Sequence, residues 1–426
     1  MPDERNPMDE SKKKAKKPGR EYGRYPNRFI YGFASFLLNI FLKMIFHVKY
    51  HVDPRIKDLP RPLIILGTHP SYLDPFMTGC ALYPMKINFL AAANFFRNRR
   101  LKPFLYLGGI IPKSQFRADP AAIKSMLRVV NRKGALGIFP EGARSIDGTP
   151  LPIEESISKF IKKAGGSVII GTSQGSYLSW PRWSESGYRR GEIHFDLQLL
   201  YTKEEVLSLP VEKIQSGIVA ALHFDEYLWQ EKARIPFRSK APAKGLHNVL
   251  HQCPACKKRW VTDSTKTTLF CTSCGNTAVM DDFGFLHPRD EQSAIYPTTR
   301  DWNEWQIQDM APSVSLDSFF LEEEADLYIS EQDTPYQLAG KGSIRLDRAG
   351  FTFHGTFLDK TVERTFQLAG ILGISSDYGS NFDVVSDRYT YRFLLKKGQK
   401  VISFTHALDL LRKDRSVQSY DPVPNL

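Results

Sequence analysis

The stretch LIILGTHPSYLDPF, residues 63–76, decides how the chain is read. Its first five residues form a short, unbroken apolar run. That is the pattern of a strand buried on both faces, as in a parallel sheet flanked by helices. The run stops at Thr68-His69-Pro70. Proline lacks an N–H and disfavours helical backbone in the residue before it, so no helix can begin at His69 and the chain must turn. After the turn, the four intervening residues allow Asp74 to come back to the imidazole. An imidazole oriented by a carboxylate is a base near neutrality, able to take a proton from an alcohol. The pair falls just past a strand end, where open α/β sheets gather their ligands.

Working outward, similar apolar runs recur at 87–91, 108–112, 136–139, 167–171 and 192–199. Between them lie helical patterns, the clearest being PAAIKSMLRVVNRKG (120–134), opened by proline and closed by glycine. Residues 203–232 read as further helices covering one edge. The alternation predicts an α/β domain over 48–240 with a mostly parallel sheet flanked by helices.

At 426 residues the chain is long enough for two to four units. Apolar content of 42% with 24% charged residues is that of a folded chain, and a net charge of +12 calls for an anionic partner. The charge is concentrated near the N-terminus, where residues 11–28 hold eight basic side chains against one glutamate. Residues 1–28 are therefore expected to be a disordered basic tail. The apolar segment 29–47 follows, in which Arg28, Gly32, Ser35, Asn39, Lys43 and His47 recur at helical spacing and form one narrow stripe. Phe29, Ile30, Phe33, Phe36, Leu37, Ile40, Phe41 and Ile45 fall on the other faces. Such a helix is expected to lie in the headgroup region, its basic flank against anionic lipid on the cytoplasmic side. A cleaved signal peptide is not expected, since the basic tail is long and no small-residue cleavage site follows.

Four of the five cysteines occur as Cys253-x2-Cys256 and Cys271-x2-Cys274, two turns that each present a thiolate pair. The spacing predicts a structural zinc ribbon over 248–285, with no coordination position left open for catalysis. Cys80 is expected to be a small core residue. A connector containing Trp302 and Trp305 spans 286–320. Over 321–415, short β-patterned runs at GSIRLD, GFTFHG, VERTFQL, FDVVS, YTYRFLL and VISFTH precede an amphipathic ALDLLRK. They predict a small β-barrel closed by a C-terminal helix, a pattern that resembles pleckstrin-homology or GRAM domains; 416–426 form a tail.

Two more strand ends bear on the chemistry. GIFPEGARS (137–145) places Glu141, Gly142 and Arg144 after one strand, and GGIIPKSQFR (108–117) places Lys113 and Arg117 after another. Arginine and lysine at a cleft suit a phosphate monoester. Taken in order, THPSYLD, GGIIP, FPEGARS and VIIGTSQGSYLSWPRW resemble the four blocks of the glycerolipid acyltransferases, the superfamily of 1-acylglycerol-3-phosphate acyltransferase, over roughly 45 to 235. The resemblance implies acyl transfer from acyl-CoA or an acyl carrier protein to a lysophospholipid hydroxyl, producing phosphatidic acid. It implies His69 as general base with Asp74 as its partner, and Glu141, Gly142 and Arg144 around the acceptor. Lys113 and Arg117 compete for the role of the second block's cation. Ala143 stands where the third block usually has threonine.

Two other readings compete. GTSQG (171–175) matches the Gly-x-Ser-x-Gly elbow of an α/β-hydrolase, with Ser173 as nucleophile, but the following SYLSWPRW lacks helical periodicity. A non-enzymatic adaptor could bind lipid or nucleic acid through the ribbon and the basic tail, although nucleic acid is not the expected partner.

Overall fold

The computed structural model describes residues 21–116, 119–331, 334–358, 360–386 and 389–418; Arg117 and the two chain ends lie outside them. The chain enters through helix α1 (Arg28–Phe46), and a mixed sheet follows. The sheet strands are β1 (Lys49–Val52), β2 (Leu63–Gly67), β3 (Ile87–Ala92), β4 (Ile111–Lys113), β5 (Ala135–Ile138), β6 (Ser167–Gln174) and β7 (His194–Tyr201). Helices α2 (Asp74–Ala81), α3 (Lys102–Leu107), α4 (Pro120–Asn131), α5 (Ser156–Ala164) and α6 (Ser176–Ser179) are interleaved with them. After the sheet come α7 (Lys203–Ser208), α8 (Val211–Ala221) and α9 (Glu226–Ala233).

The strand order is β1-β7-β6-β2-β5-β3-β4. The five strands from β6 to β4 are parallel, and β7 runs antiparallel to β6, with β1 parallel to β7 at the edge. Strand β2 sits near the middle, and alternation divides its side chains between two cores. Leu63 and Ile65 pack with Leu42, Phe46 and Met77 on the α1–α2 side. Ile64 and Leu66 pack with Val129, Ile161, Val206 and Ile214 on the side of α4, α5, α7 and α8. Each such fully buried side chain contributes about 1.5–3 kcal/mol, so the continuous apolar run holds both layers to the sheet. The expected strand at 108–112 is displaced: Gly108 and Gly109 finish the turn after α3, and pairing begins at Ile111.

Residues 21–27, assigned above to a disordered tail, form an ordered strap. Arg132 and Arg128 donate to the carbonyls of Gly23 and Tyr22, and Asn88 donates to the carbonyl of Arg24 at 2.8 Å. Asn27 then caps α1, its side-chain oxygen accepting from the N–H groups of Phe29 and Ile30 at 3.0 and 3.2 Å.

The face of α1 turned to the domain takes in only part of the stripe, Gly32 and Ser35, while Arg28, Lys43 and His47 are exposed. Gly32 lies beside the Tyr83 hydroxyl, Ser35 is buried with its carbonyl accepting from Cys80 Sγ, and Leu42 and Phe46 seal the contact with α2. The small residues let the helix approach the domain, and the large ones point outward. Phe29 is 82% exposed, Met44 71% and Phe33 67%, with Phe36, Leu37 and Ile40 also exposed.

Four short strands form a second sheet: β8 (Thr262–Ser264), β9 (Thr268–Cys271), β10 (Thr277–Met280) and β11 (Leu286–Pro288). Strand β11 extends this unit three residues past the expected boundary at 285. The connector contains a helix, α10 (Thr299–Val314), that buries Trp302, whose indole N–H donates to the Gln252 carbonyl at 2.9 Å.

The third sheet comprises β12 (Leu321–Glu331), β13 (Gln337–Asp347), β14 (Gly350–Phe357), β15 (Lys360–Gln367), β16 (Ser375–Asp377), β17 (Asn381–Ser386) and β18 (Tyr389–Leu395). Their order is β15-β14-β13-β12-β18-β17-β16, antiparallel throughout, closed by α11 (Lys400–Gln418). VISFTH, expected to be a strand, is instead the first turn and a half of α11. Val401, Phe404, Ala407, Leu408 and Leu411 recur at three- and four-residue intervals and enter the core of this third sheet, so burial at helical spacing overrides the β-branched propensity.

Candidate active site

Strand β2 delivers Thr68 and His69 at its carboxyl end, and α2 begins at Asp74. The loop between them is a tight turn closed by the carboxylate: Asp74 Oδ2 accepts from the Ser71 N–H at 2.8 Å and lies 3.1 Å from His69 Nδ1. A carboxylate is only an acceptor, so the imidazole proton sits on Nδ1 and the Nε2 lone pair is left free. Asp74 is 1% exposed, whereas the His69 side chain keeps 20% of its surface open, its ring packed on Phe139 at 4.7 Å between centroids.

The other oxygen of Asp74 is held from the end of strand β6 and the start of α6. Ser173 Oγ and Ser176 Oγ lie 3.0 and 3.1 Å from Oδ1 and 2.8 Å from each other. Two hydroxyl protons serve these three contacts, keeping the carboxylate fixed while His69 works on its opposite oxygen. Gly175, at φ +86, makes the turn that brings Ser176 back beside Ser173, and a Cβ there would lie 2.7 Å from the Glu192 carbonyl. Ser173 therefore lies within β6, fully buried, its hydroxyl facing a carboxylate rather than a histidine. This geometry does not make a nucleophile, and the hydrolase reading loses its central residue. The two-serine anchor was missed in the sequence, where the only visible signal was a serine on each side of Gly175 at i, i+3.

The FPEGARS loop after β5 is stapled to His69 on both backbone groups. Glu141 Oε1 accepts from the His69 N–H at 2.9 Å, Oε2 accepts from the Leu151 N–H at 2.9 Å, and the Ser145 N–H donates to the His69 carbonyl at 3.0 Å. Burial pushes the Glu141 carboxyl up to about 7, against the two N–H bonds that favour its anion. The structure thus brings Glu141 to the histidine as a brace on its backbone. A second buried carboxyl, Glu226 at the start of α9, is raised to about 8, chiefly by burial, with the charge of Asp74 adding to the effect. It takes up a proton on folding, so its contribution to stability is complete below the ordinary carboxylate range and is lost as pH rises through about 8.

Gly142, at φ +70, is exposed, and no atom lies within 4 Å of where a Cβ would be. Arg144 stacks its guanidinium on the Tyr72 ring at 3.4 Å, and its Nη1 is buried without a hydrogen-bond partner. Burial, with the nearby charge of Arg182, pulls its pKa down to about 10, and it remains a cation at neutral pH. Lys113 stands farther away: β5 and β3 separate its strand from β2, and Nζ donates to the Ser114 carbonyl at 2.7 Å. The loop after it nevertheless returns to the site, since Gln115 Nε2 donates to the Gly142 carbonyl at 2.7 Å.

A base with a fixed tautomer, an open space above Gly142 and a buried guanidinium together suit proton removal from an alcohol that carries an anion. Residues 47–172 match the acyltransferase family model. His69, Asp74, Glu141 and Arg144 all lie inside the matched segment. The 1-acyl-sn-glycerol-3-phosphate acyltransferase of Bacillus subtilis (strain 168) is 26% identical over 124 residues, 29% of this chain and 61% of that protein. The match thus spans about three-fifths of the length of this relative. The crystal structure of the 1-acyl-sn-glycerophosphate (LPA) acyltransferase PlsC from Thermotoga maritima aligns at a TM-score of 0.38 and 17% identity, over 48% of this chain and 79% of that one.

Among the described residues outside the matched segment, a cluster of four cysteines also has the character of a site. Cys253, Cys256, Cys271 and Cys274 are free thiols whose sulfurs all lie within 4.8 Å of one another. Cys253–Cys274 and Cys256–Cys271 are 3.7 and 3.8 Å apart, far beyond a disulfide bond. Zinc–sulfur bonds of about 2.3 Å at tetrahedral angles place sulfurs about 3.8 Å apart, so the donor set and its spacing fit the ion. Both Cys-x2-Cys turns end in left-handed backbone, at Lys257 (φ 61) and Gly275 (φ 78), which turns each thiol pair inward.

Proposed function

We propose that this protein is a membrane-associated O-acyltransferase that moves a fatty acyl group from acyl-CoA or an acyl carrier protein to the free hydroxyl of 1-acylglycerol 3-phosphate, giving phosphatidic acid. The observation that carries this reading is the His69–Asp74 pair, with Nε2 free and the Arg144 guanidinium on the loop stapled to His69. Nε2 takes the hydroxyl proton as the acceptor oxygen attacks the thioester carbonyl. The carbon–sulfur bond then breaks, and the imidazolium returns the proton to the leaving thiolate. A thioester is already activated, so orientation and a base suffice and no enzyme nucleophile is consumed. Arg144 offers the acceptor phosphate a charge-assisted contact, and Gly142 leaves room for the glycerol backbone.

The test is direct. Purified protein given labelled acyl-CoA, or labelled acyl carrier protein, together with 1-acylglycerol 3-phosphate is expected to form labelled phosphatidic acid. Release of free fatty acid alone, with both donors, would favour hydrolysis and sink the reading.

The exposed apolar face of α1 supports attachment to a membrane, which this reading places at the cytoplasmic side. The helix is long and apolar enough to cross a bilayer, yet its inner stripe is used against α2, which favours one-sided contact with lipid. Helix α3, whose Leu107 carbonyl accepts from the Asn27 N–H, adds exposed Leu101 and Phe104 beside Arg99 and Arg100. Phe33→Asp and Met44→Asp are each expected to reduce binding to anionic vesicles about tenfold or more, since each removes roughly 1.5–3 kcal/mol of apolar transfer. Unchanged sedimentation with vesicles would place the lipid contact elsewhere. A structural zinc held by the four cysteines would brace the second sheet. The antiparallel order and closing helix of the third support a pleckstrin-homology or GRAM-like unit.

A further inference from the structure

The edge of the C-terminal barrel lies across the loops that build the active site. Ser375 Oγ donates to Gln115 Oε1 at 3.2 Å, and the other end of that side chain donates to the Gly142 carbonyl. Gly373 packs flat on the Phe116 ring, where a Cβ would come within 2.3 Å of a ring carbon. Arg182, on the loop after α6, donates to the Ser376 carbonyl and lies over the Tyr378 ring at 4.5 Å. Ser376 is in turn fixed to α11, its hydroxyl 3.0 Å from Thr405 Oγ1.

Arg182 is close enough to Arg144 for its charge to act on it, and Tyr378 feels both cations. Neither arginine forms an ion pair among the described residues, and Arg144 Nη1 is buried with no partner. The carboxylates of Asp409 and Asp147 also act on Tyr378, yet neither pairs with either guanidinium, and two unpaired guanidiniums are costly unless an anion joins them. A phosphate monoester carries nearly two negative charges at neutral pH and accepts from several donors at once.

We propose that the barrel edge at Ser376 and Tyr378 is one wall of the acceptor site, holding Arg182 as a second guanidinium that selects acceptors bearing a phosphate monoester. This rests on the acyl-transfer reading and adds to it a specificity residue and a role for the C-terminal unit. Arg144 alone would hold a singly charged group. The pair, closed by the barrel, favours the dianion over a neutral headgroup.

The test compares 1-acylglycerol 3-phosphate with 1-monoacylglycerol as acceptors for Arg182→Ala, Arg182→Lys and Tyr378→Ala in the full chain. Arg182→Ala is expected to raise KM for the phosphorylated acceptor about tenfold or more while kcat changes less than about twofold. KM for monoacylglycerol should stay as in the wild type, Lys should restore part of the difference, and Tyr378→Ala should raise KM in the same selective way. Equal changes for both acceptors, or none, would overturn the proposal, and a normal KM in Tyr378→Ala would remove the barrel from the site. If the wild type acylates neither acceptor, the acyl-transfer reading fails by itself. Calorimetric binding of glycerol 3-phosphate to the full chain then decides the anion site: it should be lost in Arg182→Ala and partly kept in Arg182→Lys, and equal binding by wild type and Arg182→Ala would overturn it.

Discussion

Replacing His69 with alanine is expected to lower kcat for acyl transfer about a thousandfold while leaving KM for both substrates close to the wild-type values. General-base catalysis by a positioned side chain is worth about 10²–10⁴-fold, and among the described residues no second base is hydrogen-bonded to Nε2 to substitute for it. Ser173 is buried behind Asp74, and Glu141 has both oxygens on backbone N–H groups. The fold should survive, because the imidazole is partly exposed and its loss removes one ring contact with Phe139 and one hydrogen bond to Asp74, which keeps the Ser71 N–H and the two serine hydroxyls. Asp74→Asn is expected to cost about as much in rate for a different reason. An amide can donate as well as accept, so the Nδ1 proton is no longer required and the base can present the wrong tautomer. Unlike His69→Ala, it should also lower the thermal midpoint, since the carboxylate joins the 71–74 turn to Ser173 and Ser176. Steady-state kinetics with circular dichroism on both variants would check this. Substantial activity in His69→Ala would remove the proposed mechanism.

The second large effect is expected from the four cysteines. Elemental analysis should find about one zinc per chain, and stripping it with a chelator, or substituting Cys253→Ser, should lower the first thermal transition by about 10 °C or more. A structural tetrathiolate site contributes an apparent 10–16 kcal/mol, more than strands of three or four residues can supply by packing. The consequence should spread. Gln252 donates to Asp309 at 2.7 Å, Arg259 pairs with Asp309 at 2.9 Å, and Trp260 donates to Ser403 on α11 at 3.0 Å. The residues around the cluster thus tie α10 and α11 to the second sheet. Limited proteolysis should then cut between 253 and 288 and release the third sheet from the N-terminal α/β domain. Zinc-free protein with an unchanged midpoint and an unchanged digest would show the cluster to be an ordinary group of reduced thiols.

Much of the catalytic domain could be read from the chain because its signals are local. The run Leu63–Gly67 is a strand because nothing interrupts its burial, and Pro70 forces the turn that returns Asp74 to His69. Helix α4 starts at Pro120 with Asp119 as its cap, as the pattern required. The cysteine spacing had the same character, since two rigid turns can meet in few ways. Where local propensity and tertiary burial disagreed, the reading failed. VISFTH looks like a strand until the core of the third sheet demands Val401, Phe404 and Leu408 on one side of a helix. The stripe on α1 was seen, but a single helix cannot say which face meets the protein. The contact with α2 decides it, because Gly32 and Ser35 are small enough for close approach and the phenylalanines are not.

The sequence by itself determined the strand, the turn and the residue types of the base pair, because backbone constraints act over a few positions. Only the tertiary structure decided what holds that pair in place and what faces it. Ser173 and Ser176 reach Asp74 from about a hundred positions away, and Arg182 meets Ser376 across nearly two hundred. Contacts of that kind arise from how the layers stack and how one domain seats on another. No period or spacing along the chain encodes them.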